Sequence, residues 1–339
     1  MRALAILTVK NEAAFLLEWL AHHRRLGFTD ILVFSNDCSD GTDILLDRLA
    51  ALGLLVHQRN DSPESGSPQW SALKKAAKHP LYAAADWALV LDIDEFVNIH
   101  VGARRLPDLL MALPPEATAI QLTWRMFGNA GIVRYQDRPI RELFTKAAPE
   151  TLSWPWRAQM FKTLFRPDGA YAKPGVHRPR SPDAARLDAE HWFDGSGRAI
   201  APATRLFSDY TRNNYGLAQL NHYALGTMES YLVKCDRGRA NRDASAFDMG
   251  YWVERNLGQV EDRSILALDL APDLAALHAD ADLSRLHQAG VLWRQDRIAT
   301  LLQDEVWRSL FGRLMMAGPS RALGPEAAAF LHAARPPKS

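Results

Sequence analysis

The chain has 339 residues, of which 47% are hydrophobic and 23% are charged, and its formal net charge at pH 7 is +1. This composition is ordinary for one large α/β domain or one domain with an appendage, and it excludes a largely disordered chain. The near-neutral charge gives no reason to expect nucleic acid as a partner.

Two cysteines, Cys38 and Cys235, predict a reducing, cytoplasmic location without a disulfide framework. No apolar run approaches the roughly 20 residues of a membrane helix. Any membrane contact is therefore expected to be peripheral, at the inner face of the membrane.

Strand and helix patterns alternate through the first hundred residues. The predicted elements are strand 3–9, helix 12–26, strand 31–34, helix 40–52, strand 54–57, helix 69–84 and strand 87–91. Strands joined by helices predict right-handed crossovers and a mainly parallel sheet.

Polar side chains follow these strands at the points where the strands end. In chain order they are Lys10, Asn11, Glu12, Ser35, Asn36, Asp37, Asp92 and Asp94. Because ligands of parallel sheets bind outside the carboxyl ends of the strands, the sequence predicts a binding site at this edge.

The most informative segment is the apolar run 87–91, which ends in three carboxylates, Asp92, Asp94 and Glu95. In an extended chain Asp92 and Asp94 would point to one side and Glu95 to the other. Carboxylates this close call for a cation, and Mn²⁺ or Mg²⁺ shared with a substrate phosphate is the usual solution. This DxD pattern predicts a metal-bridged nucleotide diphosphate; a solvated strand end or a helix cap is the structural alternative.

The pattern changes beyond residue 106. The predicted elements are strand 120–124, a turn over 126–131, a strand or irregular segment over 138–146, strand 162–166, a loop over 172–181, strand 217–222, a basic helix over 228–242 and helices beyond about 262. The last of these predict a C-terminal helical extension.

The ordered segments ILTVKNEAAFLLEWLAHHRRLG, ILVFSNDCSDGTDILLDRL, PQWSALKKA, WALVLDIDEFVNI, LTWRMFGNAG, KTLFRPDGAYAKPGVHRP and QLNHYALGTMESYLVKCDRGRANR resemble the GT-A glycosyltransferases. The resemblance is nearest to the family 2 and family 92 types of bacterial polysaccharide and surface-glycan pathways. It implies a Rossmann-like GT-A domain over residues 1–245, with a nucleotide-binding half over 1–105 and an acceptor half over 106–245. Residues 246–339 would form the helical extension.

The resemblance also implies roles for individual residues. Contacts with the nucleoside and its ribose are expected from Thr8, Lys10, Asn11, Glu12, Asn36 and Asp37. Metal ligation is expected from Asp92, Asp94 and His222, with Asp94 also counted as catalytic. Clamping of the diphosphate or of an anionic acceptor is expected from Lys234, Arg237, Arg239 and Arg242.

The function implied is metal-dependent transfer of a hexose from a nucleotide sugar, most often UDP-linked, to a hydroxyl of a glycan or glycolipid, with inversion at the anomeric carbon. The cation stabilises charge on the leaving diphosphate, and a general base takes the proton of the acceptor hydroxyl. The acids offered as the base are Glu142, Asp183, Asp188, Glu190 and Asp194, and spacing does not choose among them.

Glu142 ranks first as the base because it follows the segment WRMFGNAG, which by resemblance borders the acceptor. His177, on a Pro- and Gly-rich loop, is an alternative base or donor-site residue.

Three other functions compete. A sugar nucleotidyltransferase usually carries a glycine-rich phosphate loop after its first strand, whereas residues 10–14 contain no glycine. Phosphatases that use an aspartate nucleophile place DxD after the first strand, whereas here three strand–helix units precede it. A non-catalytic nucleotide-sugar-binding module stays open.

Overall fold

The computed structural model describes residues 1–61, 67–202, 206–238 and 248–334. Its strands are β1 (Ala3–Val9), β2 (Asp30–Ser35), β3 (Val56–Arg59), β4 (Trp87–Leu91), β5 (Glu95–Ile99), β6 (Ala119–Met126), β7 (Lys146–Ala147), β8 (Phe161–Phe165), β9 (Tyr171–Lys173), β10 (Arg180–Pro182), β11 (Trp192–Asp194), β12 (Ala199–Ile200), β13 (Ala218–His222) and β14 (Val260–Glu261).

The α-helices in the same residues are α1 (Ala13–Leu26), α2 (Thr42–Ala51), α3 (Pro68–Ala76), α4 (Pro80–Ala83), α5 (Leu106–Met111), α6 (Ile140–Leu143), α7 (Met228–Arg237), α8 (Met249–Arg255), α9 (Ala271–His278), α10 (Ala281–Leu301), α11 (Glu305–Ala317) and α12 (Pro325–Ala333).

One sheet organises the molecule, with strand order β12-β11-β6-β8-β4-β1-β2-β3 and with β13 bridging β6 and β5. The half formed by β4, β1, β2 and β3 is parallel. Strand β8 runs antiparallel between β4 and β6. The predicted fold class, α/β with a mainly parallel sheet flanked by helices, is confirmed.

Helix α1 follows β1 and packs its apolar face into the core. Leu16, Leu20 and Trp19 are fully buried, as the three- and four-residue spacing predicts. The helix ends at Gly27, whose φ of 109° requires the left-handed conformation that glycine adopts readily. The carboxyl end of β1 and the start of α1 are thereby fixed beside the ends of β2 and β4.

Several local predictions differ from the structure. The helix predicted over 69–84 is two helices, α3 and α4, because Pro80 lacks the N–H needed to continue a helix. The uncertain segment 138–146 contains α6, and the predicted loop 172–181 includes parts of β9 and β10. Strand β5, directly after the DxD segment, was not predicted.

The C-terminal helices pack against the sheet domain. Helix α10 contacts α1, α2 and α7, and Ile298, Leu301 and Leu314 share a hydrophobic cluster with Leu232 and Trp252. The predicted division at residue 245 lies outside the described residues and stays a prediction. None of the helices in the described ranges is long and apolar enough to cross a membrane.

Close packing of α10 on α1 depends on Gly290. A Cβ added there would lie 2.5 Å from Cβ of Ala13 and 3.4 Å from backbone atoms of Ala13 and Ala14. We expect Gly290→Ala to lower the free energy of unfolding in urea by about 1–3 kcal/mol, since the two helix backbones must separate. The control Gly312→Ala in α11, where nothing lies within 4 Å, should raise it by up to about 1 kcal/mol. Equal effects of the two substitutions would contradict this packing.

The histidine His23 of α1 makes stability depend on pH. Its Nδ1 lies 2.9 Å from the carbonyl oxygen of Trp19, and burial lowers the pKa of His23 to about 3. The unfolded chain, with a histidine pKa of about 6.5, therefore binds a proton that the folded state does not. The contribution that neutral His23 makes to the free energy of unfolding is complete above about pH 6.5, and it is lost as the pH falls from about 6.5 toward 3.

We expect His23→Leu to reduce the loss of unfolding free energy between pH 7 and pH 5 by about 2 kcal/mol. Urea denaturation at the two pH values measures the difference. A variant that loses as much stability as the wild type would show that His23 is not held neutral.

Candidate active site

The chain turns directly after β4. The N–H of Glu95 donates to the carbonyl oxygen of Asp92 at 3.1 Å, so these four residues form a turn and not an extended strand. The same-side argument for Asp92 and Asp94 therefore does not apply. Glu95 opens β5, which pairs antiparallel with β13 and places Glu95 opposite His222.

Lys162 of β8 is a buried cation between two of these carboxylates. Its Nζ lies 2.9 Å from Oδ2 of Asp92 and 3.4 Å from Oε2 of Glu95. Burial opposes the charge of Lys162, but the attraction of Asp92 and Glu95 outweighs it and raises the pKa of the ammonium. The chain itself thus supplies the cation that the sequence calls for at Asp92.

Glu95 is fully buried and held by further donors. The indole N–H of Trp124 donates to its Oε1 at 2.7 Å, and the backbone N–H of Asp92 donates to its Oε2 at 2.9 Å. Burial raises the pKa of the Glu95 carboxyl, and the attraction of Lys162 lowers it; hydrogen-bond donors at both oxygens favour the ionised form. Glu95 therefore anchors the turn from inside, out of reach of a ligand.

Asp94 stands at the tip of the turn with two nitrogen groups beside its Oδ2. The ammonium of Lys234 in α7 lies 2.7 Å away and Nε2 of His222 in β13 lies 3.7 Å away. Burial favours the neutral acid, yet Lys234 and His222 hold the pKa of the Asp94 carboxyl well below its usual range. Burial also lowers the pKa of His222, against the attraction of Asp94.

Glu12, at the start of α1, joins three parts of the chain. Its side chain does not cap the helix; instead Oε1 pairs with Nη1 of Arg237 in α7, and Oε2 lies 3.4 Å from Nη2 of Arg294 in α10. The guanidinium of Arg294 also lies over the ring of Phe15, 4.5 Å from its centroid. One carboxylate between two arginines leaves this corner with a positive excess.

A cavity of about 650 Å³ opens where β1, β2 and β4 end. It brings together most of the residues predicted from the sequence, namely Thr8, Lys10, Glu12, Asn36, Asp92, Asp94, His222, Lys234 and Arg237. A smaller cavity of about 60 Å³ adjoins it and is lined by Asn11, Phe15 and Arg294 among others.

Three predicted residues within the described ranges do not line the main cavity, namely Asn11, Asp37 and Glu142. The amide of Asn11 is bonded to Ser39, and Asn11 lines only the smaller cavity. Asp37 is exposed and accepts a hydrogen bond from Asn36 at 2.6 Å. Arg239 and Arg242 of the basic stretch lie outside the described residues.

The acids offered as general base lie elsewhere. The side chain of Glu142, ranked first, is 47% exposed and 3.6 Å from Arg138, and Glu142 is not in the cavity wall. Asp183 caps a short 3₁₀ helix, Glu190 accepts from Thr118 and Trp192, and Asp194 pairs with Arg198 and Arg212. The structure does not bring any of them, or Asp188, to the wall of the cavity, whereas the alternative His177 does line it.

The sequence reasoning missed several residues of the site. Lys162 had a detectable signal, because a lysine between the apolar residues of strand β8 requires a buried acid as partner. Gln69 donates to Oδ1 of Asp92 at 3.2 Å, and Arg294 and Glu254 come from the predicted extension. Their placement depends on tertiary contacts that no local pattern encodes.

The predicted trio of metal ligands is not assembled. Among the described residues, no group of three or more His, Cys, Asp or Glu side chains is placed to hold a metal ion. Asp94 and His222 lie 3.7 Å apart at the cavity wall, as an oxygen and a nitrogen donor. They fit a Mn²⁺ or Mg²⁺ ion that takes its other ligands from phosphate oxygens and water.

Comparison with known proteins places the chain in a family. The model of glycosyltransferase family 92 matches residues 5–183, just over half of the chain. A family 92 protein of Oryza sativa subsp. japonica is 24% identical over 168 residues, which make up 47% of this chain and 26% of that protein. The chain belongs to glycosyltransferase family 92, and it spans about a quarter of the length of this relative.

Solved structures give weaker likenesses. Glucosyl-3-phosphoglycerate synthase from Mycobacterium tuberculosis, solved with Mn²⁺, UDP and glucosyl-3-phosphoglycerate, is 16% identical over 37% of this chain and 44% of that chain, with a TM-score of 0.26. Residues 1–349 of S. aureus TarS are 16% identical over 87% of this chain and 92% of that chain, with a TM-score of 0.32. The assignment therefore depends on the sequence match to family 92.

Lys162→Met tests the buried charge at the turn. Removing the ammonium leaves Asp92 and Glu95 without their cation, so we expect a loss of about 3–5 kcal/mol of unfolding free energy at pH 7. Lys146→Met is the matched control, because Lys146 pairs with Glu261 at 2.9 Å with both side chains more than 40% exposed, and it should cost less than about 1 kcal/mol. A loss of similar size in both variants would show that Lys162 does not compensate buried charge.

Proposed function

We propose that this chain transfers a hexose from a nucleotide sugar, most simply a UDP-sugar, to a hydroxyl group of a glycan or glycolipid, with inversion and with Mn²⁺ or Mg²⁺. The observation that carries the proposal is the placement of Asp94 beside His222 and Lys234 in the wall of the large cavity. Family 92 membership supports the reaction class.

The cavity suits the donor in size and in the order of its polar groups. About 650 Å³ is within the range of roughly 300–1,000 Å³ that small-molecule sites occupy. Thr8, Lys10 and Asn36, at the ends of β1 and β2, are assigned to the nucleoside. Lys234 and Arg237, on the helix that follows β13, are assigned to the diphosphate.

The reaction breaks the bond between the anomeric carbon and a diphosphate oxygen, which leaves with the electron pair. A divalent ion, when bound, supplies Lewis-acid stabilisation of the charge that grows there. Asp94 and His222 would hold that ion, and Lys234 and Arg237 would add fixed positive charge beside it. Lys162 would keep Asp92 neutralised throughout.

Donor binding tests the proposal. We expect UDP and at least one of UDP-glucose, UDP-galactose, UDP-N-acetylglucosamine and GDP-mannose to raise the melting temperature in the presence of Mn²⁺, since a ligand at a hundredfold excess over its Kd stabilises by about 2.7 kcal/mol. In calorimetry, Asp94→Asn should weaken UDP binding in Mn²⁺ by tenfold or more. UDP release from the donor that binds then measures turnover.

Asp168→Asn is the control for this substitution, because Asp168 is an exposed aspartate paired with Arg166. It should leave UDP binding unchanged. UDP binding that is equal in Mn²⁺ and in EDTA would contradict the metal assignment. Binding of none of these ligands would contradict the donor assignment, and binding without any UDP release would favour a non-catalytic module.

A further inference from the structure

We propose that Glu254, in α8, is the general base that deprotonates the acceptor hydroxyl. The assignment depends on the proposed glycosyl transfer, and it names a further residue that takes part in that reaction. Glu254 lies in the part of the chain expected to be a helical extension, outside the set of acids that the sequence offered as bases.

The other carboxylates of the large cavity are already engaged. Asp92 is paired with Lys162 and Asp94 with Lys234. Glu12 is shared by two arginines. Asp248 caps α8, its Oδ1 accepting from the N–H of Tyr251 at 2.9 Å. Each of these carboxylates has a partner, a helix cap or a proposed metal-binding role that would compete with proton transfer.

Glu254 is held more loosely than these acids, because neither of its ion pairs is shorter than 3.4 Å and its side chain caps no helix. Its Oε2 lies 3.4 Å from Nη1 of Arg255 and 3.7 Å from Nη1 of Arg157. Within the described ranges, the hydrogen bond to its side chain involves Oε2 and none involves Oε1. The side chain is 33% exposed and lines the cavity. The two arginines orient the carboxylate and leave Oε1 for a ligand.

The surroundings of Glu254 fit an acceptor better than a nucleotide. Glu254 lines the cavity together with Arg157, Tyr251 and Arg255, whereas the residues assigned to the nucleoside come from β1 and β2. The ring of Tyr251 lies under the guanidinium of Arg255, 3.7 Å from it, and Trp124 also lines the cavity. Aromatic faces and charged hydrogen-bonding groups are the surfaces that bind sugar rings.

The step balances as a single displacement. The acceptor oxygen forms a bond to the anomeric carbon while its proton passes to Oε1 of Glu254. The bond to the diphosphate breaks, and the nucleoside diphosphate leaves with the electron pair. Attack on the face opposite the leaving group inverts the anomeric carbon. Glu254 then returns the proton to solvent.

Glu254→Gln should keep the shape of the side chain and remove its basicity. We expect kcat for transfer to simple methyl hexosides, used as acceptor probes, to fall about 100- to 10,000-fold, the usual contribution of a general base. The Kd for UDP in Mn²⁺ should stay within about threefold of wild type. Glu142→Gln is the competing variant, with an exposed glutamate also paired to an arginine, and it should keep wild-type turnover.

A second variant separates a base from a residue that only positions the acceptor. Azide is a nucleophile that has no proton to lose. We therefore expect azide to accelerate UDP release by Glu254→Ala at least tenfold, with the inverted glycosyl azide as product, and to leave the wild-type rate unchanged. A purely structural role would give no such rescue.

The outcomes are distinct. Wild-type turnover in Glu254→Gln, or loss in Glu142→Gln instead, would overturn the assignment of Glu254 and leave the proposed transfer intact. Loss in Glu254→Gln together with failure of azide to rescue Glu254→Ala would also overturn it. A wild-type protein that neither binds nor cleaves a nucleotide sugar would overturn both proposals.

Discussion

Charge compensation at the end of β4 is the constraint on which the site depends. Three carboxylates stand within four residues, where a buried strand meets the edge of the sheet, and two lysines from distant parts of the sequence neutralise them. Lys162 comes from β8, the antiparallel strand inserted between β4 and β6, and Lys234 comes from α7. A buried acid left without its partner is strongly destabilising, so the topology of the sheet and the chemistry of its edge are coupled.

The two lysines divide the carboxylates into two groups. Asp92 and Glu95 are tied to Lys162, and Glu95 is sealed inside by Trp124. Asp94 lies on the cavity wall beside His222 and Lys234. The two aspartates of the DxD pattern therefore have different partners, a division that the spacing of the motif does not reveal.

The C-terminal helices complete the site. Arg294 of α10 shares Glu12 with Arg237, and α8 contributes Tyr251, Glu254 and Arg255 to the cavity. The family match ends at residue 183, so these contributions come from beyond it. Tyr251, Glu254 and Arg255 lie in the part of the cavity that we propose for the acceptor.

The sequence predicted the first half of the fold well because its strands are apolar runs separated by helices of clear periodicity. For the same reason, it placed the polar groups at the edge of the sheet where the cavity opens. It did not predict β5, because the turn through Asp94 that starts it is fixed by a tertiary pairing with β13. It ranked Glu142 first as the base from its position after the segment WRMFGNAG, and it did not offer Glu254, because position along the chain does not give proximity in space. Buried pairs such as Lys162 with Asp92, which are 70 residues apart, are set by strand order and not by any local signal.

The most direct measurement is a crystal structure of the protein with UDP and Mn²⁺. We expect anomalous density for manganese at Asp94 and His222, with the diphosphate next to Lys234 and Arg237 and with Lys162 still bound to Asp92. Manganese and UDP bound at another place, with Asp94 still paired only to Lys234, would contradict the account.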